Sequence, residues 1–106
     1  MNEGLNNLRL MATKAMTAHG IGLTGLLEIL TLQRALRDRV IPGIPNLRAV
    51  LPLSKKIKDQ CGLVFDPDHY DMFNTKAIPW DGDYAMSNSF GFGGNNGAVV
   101  IRRYVP

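Results

Sequence analysis

Apolar positions divide the chain into a dense block, an irregular middle and a second apolar block near the C-terminus. Residues 21–32 are apolar almost all round, with Leu23, Leu26, Leu27, Ile29, Leu30 and Leu32, which predicts a helix buried on more than one face. The hydroxyl of Thr17 is placed to cap its start, and the helix is expected to run to about Arg39 before Pro42 stops it. Gly22 and Gly25 inside this helix each cost roughly 1 kcal/mol against alanine, so close packing against another backbone is the reason for them. Arg34, Arg37 and Arg39 fall near its C-terminal end, where cations complement the helix dipole. Upstream, residues 8–12 alternate loosely and predict a short strand that delivers Lys14 to a cleft.

Residues 43–84 carry Pro45, Pro52, Pro67 and Pro79 and no sustained period, with a helical turn over 54–59 and a turn over 65–71. A long irregular stretch of this kind tends to be functional or mobile. Residues 80–84 then turn into a strand over 85–90. The bend Gly91-Phe92-Gly93-Gly94-Asn95-Asn96 follows, and the chain resumes as a strand over 97–104, which makes a hairpin with an exposed tip. Closely spaced glycines let the backbone approach a ligand and take positive φ. A dinucleotide-binding reading of Gly91-x-Gly93-Gly94 is poor, because that site needs a helix to begin at the glycines and β-branched Val99, Val100 and Ile101 follow instead.

A length of 106 residues permits one domain, and 45% hydrophobic content suits a globular core. The net charge of +3 is mild and its basic residues are dispersed without interleaved aromatics, which argues against a nucleic-acid surface. Such a surface does suit an acidic protein partner, since complementary potentials speed encounter. The single cysteine, Cys61, has no disulfide partner and no metal-ligand spacing, so a reducing cytoplasm is expected. No secretory leader is evident. The apolar run from Ile21 to Leu36 is short for a membrane span and carries Glu28, Gln33 and Arg34, so no membrane insertion is expected.

Two segments carry a resemblance. Asn88-Ser89-Phe90-Gly91-Phe92-Gly93-Gly94-Asn95-Asn96, followed by a short apolar strand ending in Arg102-Arg103, resembles the C-terminal signature of the β-ketoacyl-acyl-carrier-protein synthases, condensing enzymes of the thiolase fold. Residues 14–28 are similar to that family's Lys-Ser-x-x-Gly-His-x-x-Gly-Ala-Ala-Gly-x-x-Glu motif, with Lys14, His19, Gly22, Gly25 and Glu28 at matching offsets. Between the two, residues 40–47 look like its Ile-Pro-Pro-Thr-x-Asn segment. The motifs occur in the family's order and cover most of residues 11–104.

The resemblance implies an α/β fold: the C-terminal part of a thiolase-like layered fold, with one long buried helix and a C-terminal antiparallel hairpin. Residues 1–106 would be a partial synthase domain, because a complete condensing enzyme is several times longer. It also implies decarboxylative carbon–carbon condensation of an acyl thioester with a malonyl carrier protein, in fatty-acid or polyketide synthesis. His19 would donate a hydrogen bond to the malonyl thioester oxygen. Lys14 would organise the site, and the Phe92 amide would join an oxyanion hole while its ring gates the acyl pocket. From position alone, His19 reads as a capping or core histidine; the resemblance, with Lys14 and Glu28 at the family's offsets, implies the functional role. Glu28, flanked by leucines and isoleucine, is costly to bury unpaired. It is either ion-paired or, as the resemblance implies, holds a structural monovalent cation with groups around Ser87 and Asn88. No other cofactor is implied.

The nucleophilic cysteine and a first histidine of the family precede the His19 motif, so neither Cys61 nor His69 fits those roles, and this chain alone is expected to be inactive. Expected partners are an acyl carrier protein, the missing N-terminal half of a synthase and further copies in a homo- or hetero-oligomer. The alternative is a non-catalytic dimerisation or carrier-binding module. Ala15, Ala18, Leu23-Thr24 and Asn95 depart from the family pattern. If position 18 requires positive φ, alanine there is strained by on the order of 1 kcal/mol or more.

Overall fold

The computed structural model describes residues 8–49, 56 and 72–106. The expected helical turn over 54–59, apart from Lys56, and the turn over 65–71 lie outside the described residues, as do Cys61 and His69. The described elements are a one-turn helix α1 (Lys14–Thr17), a 3-10 turn (Ile21–Leu23), a long helix α2 (Thr24–Asp38), short strands β1 (Val40–Ile41) and β2 (Ile78–Pro79), and the hairpin strands β3 (Tyr84–Phe90) and β4 (Asn96–Arg102).

The apolar block forms the long helix, but not as a helix buried all round. Thr24, Leu32, Ala35 and Leu36 are buried, and Glu28 and Thr31 half-buried, along one stripe at helical spacing. Leu23, Leu26 and Leu30, about half a turn away, are exposed. One layer covers one stripe, so the chain by itself buries the helix on one face only. It leaves exposed the apolar surface that a helix apolar all round is expected to show when it lacks cover on its other side. The start also differs. Thr17 does not cap α2: its hydroxyl donates to the carbonyls of Thr13 and Ala18 at the end of α1. Ala18 then takes φ 58° and ψ −174°, and Ile21 takes φ 52°, so the chain bends sharply between the two helices.

At its other end α2 stops in a left-handed residue, Arg39, at φ 58° and ψ 37°, whose N–H donates to the Ala35 carbonyl. Glycine is the usual occupant of such a cap. β1 and β2 pair antiparallel, Val40 opposite Pro79 and Ile41 opposite Ile78. Ile44 N–H donates to Asn74 O at 2.7 Å, and a Cβ on Gly43 would lie 2.6 Å from the Lys76 backbone, so main chain here packs directly on main chain. The buried apolar set is Leu32, Ala35, Leu36, Ile41, Ile44 and Met72. The strand expected over 8–12 reduces to one parallel bridge between Leu10 and Phe73.

β3 and β4 form the expected hairpin, in register from Tyr84 opposite Arg102 to Phe90 opposite Asn96. Strand alternation divides it into two faces. Ala85 and Ser87 are half-buried on the α2 side, while Tyr84, Met86, Asn88 and Phe90 are exposed on the other. At the base, Arg103 Nε donates to Asp83 Oδ1 at 3.0 Å and the Arg39 guanidinium lies 3.8 Å from the same oxygen, tying the end of α2 to the hairpin.

Candidate functional site

The N-terminal half of α2 and the inner face of β3 bring three of the sequence-predicted residues together. Glu28 projects from α2 between α1 and β3. Its Oε1 pairs with the Lys14 ammonium, and its Oε2 accepts from Ser87 Oγ at 3.0 Å. The Glu28 side chain is only 15% exposed, so its charge needs this pairing. The hydrogen bond from Lys14 holds the carboxyl below its ordinary value, reinforced by Ser87 and opposed by burial. Of the two fates expected for Glu28, the structure therefore contains the ion pair.

As side chains, Glu28, Ser87 and Asn88 do not converge. Asn88 is exposed and, by alternation, lies on the opposite face of β3 from Ser87. The Lys14 ammonium already neutralises the carboxylate. This side-chain set does not fit a cation held by all three residues, and no step below runs through one.

His19 is exposed in the bend between α1 and α2. Its Nδ1 accepts the Ile21 N–H at 3.0 Å and lies 3.2 Å from Thr24 Oγ1. A nitrogen that accepts from a backbone amide carries no proton, so the neutral ring bears its hydrogen on Nε2. Thr24 must then be the donor in its contact. The capping role and a hydrogen-bond-donating role thus use opposite nitrogens of one ring and are compatible. Ala18, the residue before it, has the positive φ on which the sequence argument for strain depended.

Phe92 sits at the hairpin tip with its ring fully exposed. Gly91 N–H donates to Asn95 O at 2.6 Å, and Asn95 Nδ2 donates to Phe92 O at 3.3 Å. Gly93 and Gly94 take φ 83° and 82°, a conformation that side chains rarely adopt, so the bend requires glycine there. Two contacts orient this tip relative to α2. Ser87 meets Glu28, while a Cβ built on Gly25 would lie 3.8 Å from Ser89 Oγ. Moving along β3 towards the tip therefore means moving along α2 towards His19. The imidazole and the glycine bend lie at the same end of the helix-on-hairpin layer.

A groove of about 420 Å³ lies beside the other half of α2, lined by Leu27, Leu30, Thr31, Arg34, Val40 and Pro42 among others. None of Lys14, His19 and Phe92 lines it. Sequence reasoning missed Thr24 as a partner of His19. The available signal was a hydroxyl in place of alanine, five residues after the histidine.

Comparison with known proteins finds relatives that match nearly the whole of this chain. The chain is 32% identical over 102 residues to the 3-oxoacyl-[acyl-carrier-protein] synthase 2 of Staphylococcus aureus (strain COL), covering 96% of this chain and 21% of that protein. It is 36% identical over 107 residues to the Mycobacterium leprae protein of the same name, covering 98% of this chain and 22% of that protein. No family model matches the chain, and no solved structure matches it. The chain belongs to the β-ketoacyl-acyl-carrier-protein synthase family and matches a C-terminal portion of it. It spans about a fifth of the length of these curated relatives.

Proposed function

We propose that this chain supplies one part of a decarboxylative condensing site in fatty-acid or polyketide synthesis, within a thiolase-like layered fold completed by a segment that carries the nucleophilic cysteine. In that reaction the bond from the malonyl carboxylate to its neighbouring carbon breaks, carbon dioxide leaves, and the electron pair passes into a thioester enolate. The enolate carbon attacks the acyl group on the cysteine, and the thiolate leaves. The His19 Nε2–H donates to the enolate oxygen as charge builds there, and the Phe92 amide donates to the oxygen of the acyl thioester. Glu28, itself held by the Ser87 hydroxyl, orients Lys14, whose ammonium steadies the anionic substrate. The acyl carrier protein presents the malonyl group, a homo- or hetero-oligomer completes the assembly, and the setting is cytoplasmic. No helix among the described residues is long and apolar enough to cross a membrane.

The observation that carries this reading is the capped Nδ1 of His19, which leaves Nε2–H available at the glycine-bend end of the layer. The test is to co-refold the chain with an N-terminal synthase segment bearing the cysteine and to measure carbon dioxide release from malonyl carrier protein. The assembly should exceed either part alone, and His19→Ala should lower the rate by about 100-fold or more. A folded assembly with no release refutes the condensing role. The exposed outer face of the hairpin, with Tyr84, Met86, Phe90 and Val100, favours a second reading, a non-catalytic module that binds a carrier or a partner subunit. Carrier binding without decarboxylation would select it.

A further inference from the structure

We propose that Thr24 is a positioning residue for His19, fixing the direction of the imidazole from the first residue of α2 while the Ile21 amide sets its tautomer. The consequence for catalysis rests on the condensing reading above; the positioning itself does not. His19 is exposed, and the bend that carries it is strained on both sides, with Ala18 at φ 58° and Ile21 at φ 52°. Positive φ is an outlier for a β-branched residue such as Ile21. The Ile21 amide holds Nδ1 from within that strained bend, so by itself it moves whenever the bend moves.

Thr24 differs in kind. It is 4% exposed, begins the long helix in helical geometry (φ −60°, ψ −44°), and its β-branched side chain has few rotamers in a helix. Its hydroxyl is 3.2 Å from Nδ1, and because Nδ1 already accepts an amide hydrogen, the hydroxyl can only donate. The second anchor thus comes from a buried helix and couples the ring to α2.

The test reads ring nitrogens of the full chain by long-range hydrogen–nitrogen correlation at about pH 8.5, where an ordinary imidazole is neutral. A His69→Gln background leaves His19 as the sole histidine. Nε2 should be the protonated nitrogen, and Thr24→Ser should retain this. Nε2 should stay protonated in Thr24→Ala as well, because the Ile21 amide sets the tautomer, while the minor χ1 rotamers of His19, read from its Hα–Hβ couplings, should rise about fivefold, the ratio one hydroxyl hydrogen bond supports. Thr24→Val, which keeps the shape without the hydroxyl, gives the same readout should the alanine variant not fold. A protonated Nδ1 in the parent chain, or unchanged His19 rotamer populations in both variants, overturns the proposal. So does loss of folding in both, which would assign Thr24 to stability alone. No substrate is involved, so failure of condensation and failure of this inference are separately visible.

Discussion

The C-terminal half of α2 contributes Leu32, Ala35 and Leu36 to the same buried set as Ile41, Ile44 and Met72. The N-terminal half and the bend before it leave Ile21, Leu23 and Leu26 in solvent, and polar contacts through His19, Thr24 and Glu28 fasten that end. One helix thus joins a region held by apolar burial to a region held by specific pairing. Burial is non-directional and tolerates small errors, whereas hydrogen bonds and ion pairs fix orientation. Ala18, Ile21 and the glycine bend belong to the second region, while Arg39, the third non-glycine residue at positive φ, caps the other end of the helix.

The sharpest way to break this contrast is to truncate one leucine at each end. Leu36→Ala, at a residue 3% exposed, should lower unfolding free energy in urea by about 3 kcal/mol. Leu26→Ala, at a residue 54% exposed, should change it by less than about 0.5 kcal/mol. Equal effects would mean that the two ends are not differently built.

Glu28→Gln should lose about 2 kcal/mol, because one carboxylate links α1, α2 and β3 by charge-assisted bonds. It should also change the acid limb. The folded state holds Glu28 below its ordinary value of 4.5, so its contribution is complete above that value and disappears as pH falls through the lower, folded one. Parallel denaturation curves of the two proteins should therefore converge below pH 4.5, and curves that stay separated there would remove the ion pair from the account.

A smaller effect of opposite sign is expected at the bend. Ala18→Gly relieves positive φ and should raise the melting temperature by an amount equivalent to about 1 kcal/mol. A fall would mean that the bend is not strained. The smallest effect belongs to the tip: Phe92→Ala should leave stability within about 0.5 kcal/mol, because its ring is fully exposed. The variant keeps the backbone amide, so it lowers turnover of the completed assembly only if the ring gates the acyl pocket, as the resemblance implies.

The hairpin was legible because glycines punctuate it and β-branched residues follow; the observed strands start one residue earlier than expected, and β4 ends at Arg102 rather than residue 104. Much of the long helix was legible from apolar density, but density does not say how many faces have neighbours, and Leu23, Leu26 and Leu30 turned out exposed. The start of α2 was misplaced because Thr17 has the chemistry of a cap and a competing carbonyl four residues earlier. The Lys14–Glu28 pair spans fourteen positions, outside the range where helical periodicity pairs charges, so spacing alone left ion pair and cation open. Thr24 was read as a departure from a motif, because its partner is visible only once the bend folds His19 back over the helix start.

The contact at Gly43 has a practical consequence for anyone mapping this chain by substitution. Any side chain there meets the main chain of Lys76, which cannot rotate out of the way as a side-chain tip can. A saturation scan would record position 43 as forbidden, with a severity rivalling any residue of the proposed chemistry. Intolerance in such a map would mark both this close crossing of two main-chain segments and the residues of the proposed site, and only an assay of function apart from abundance would separate them.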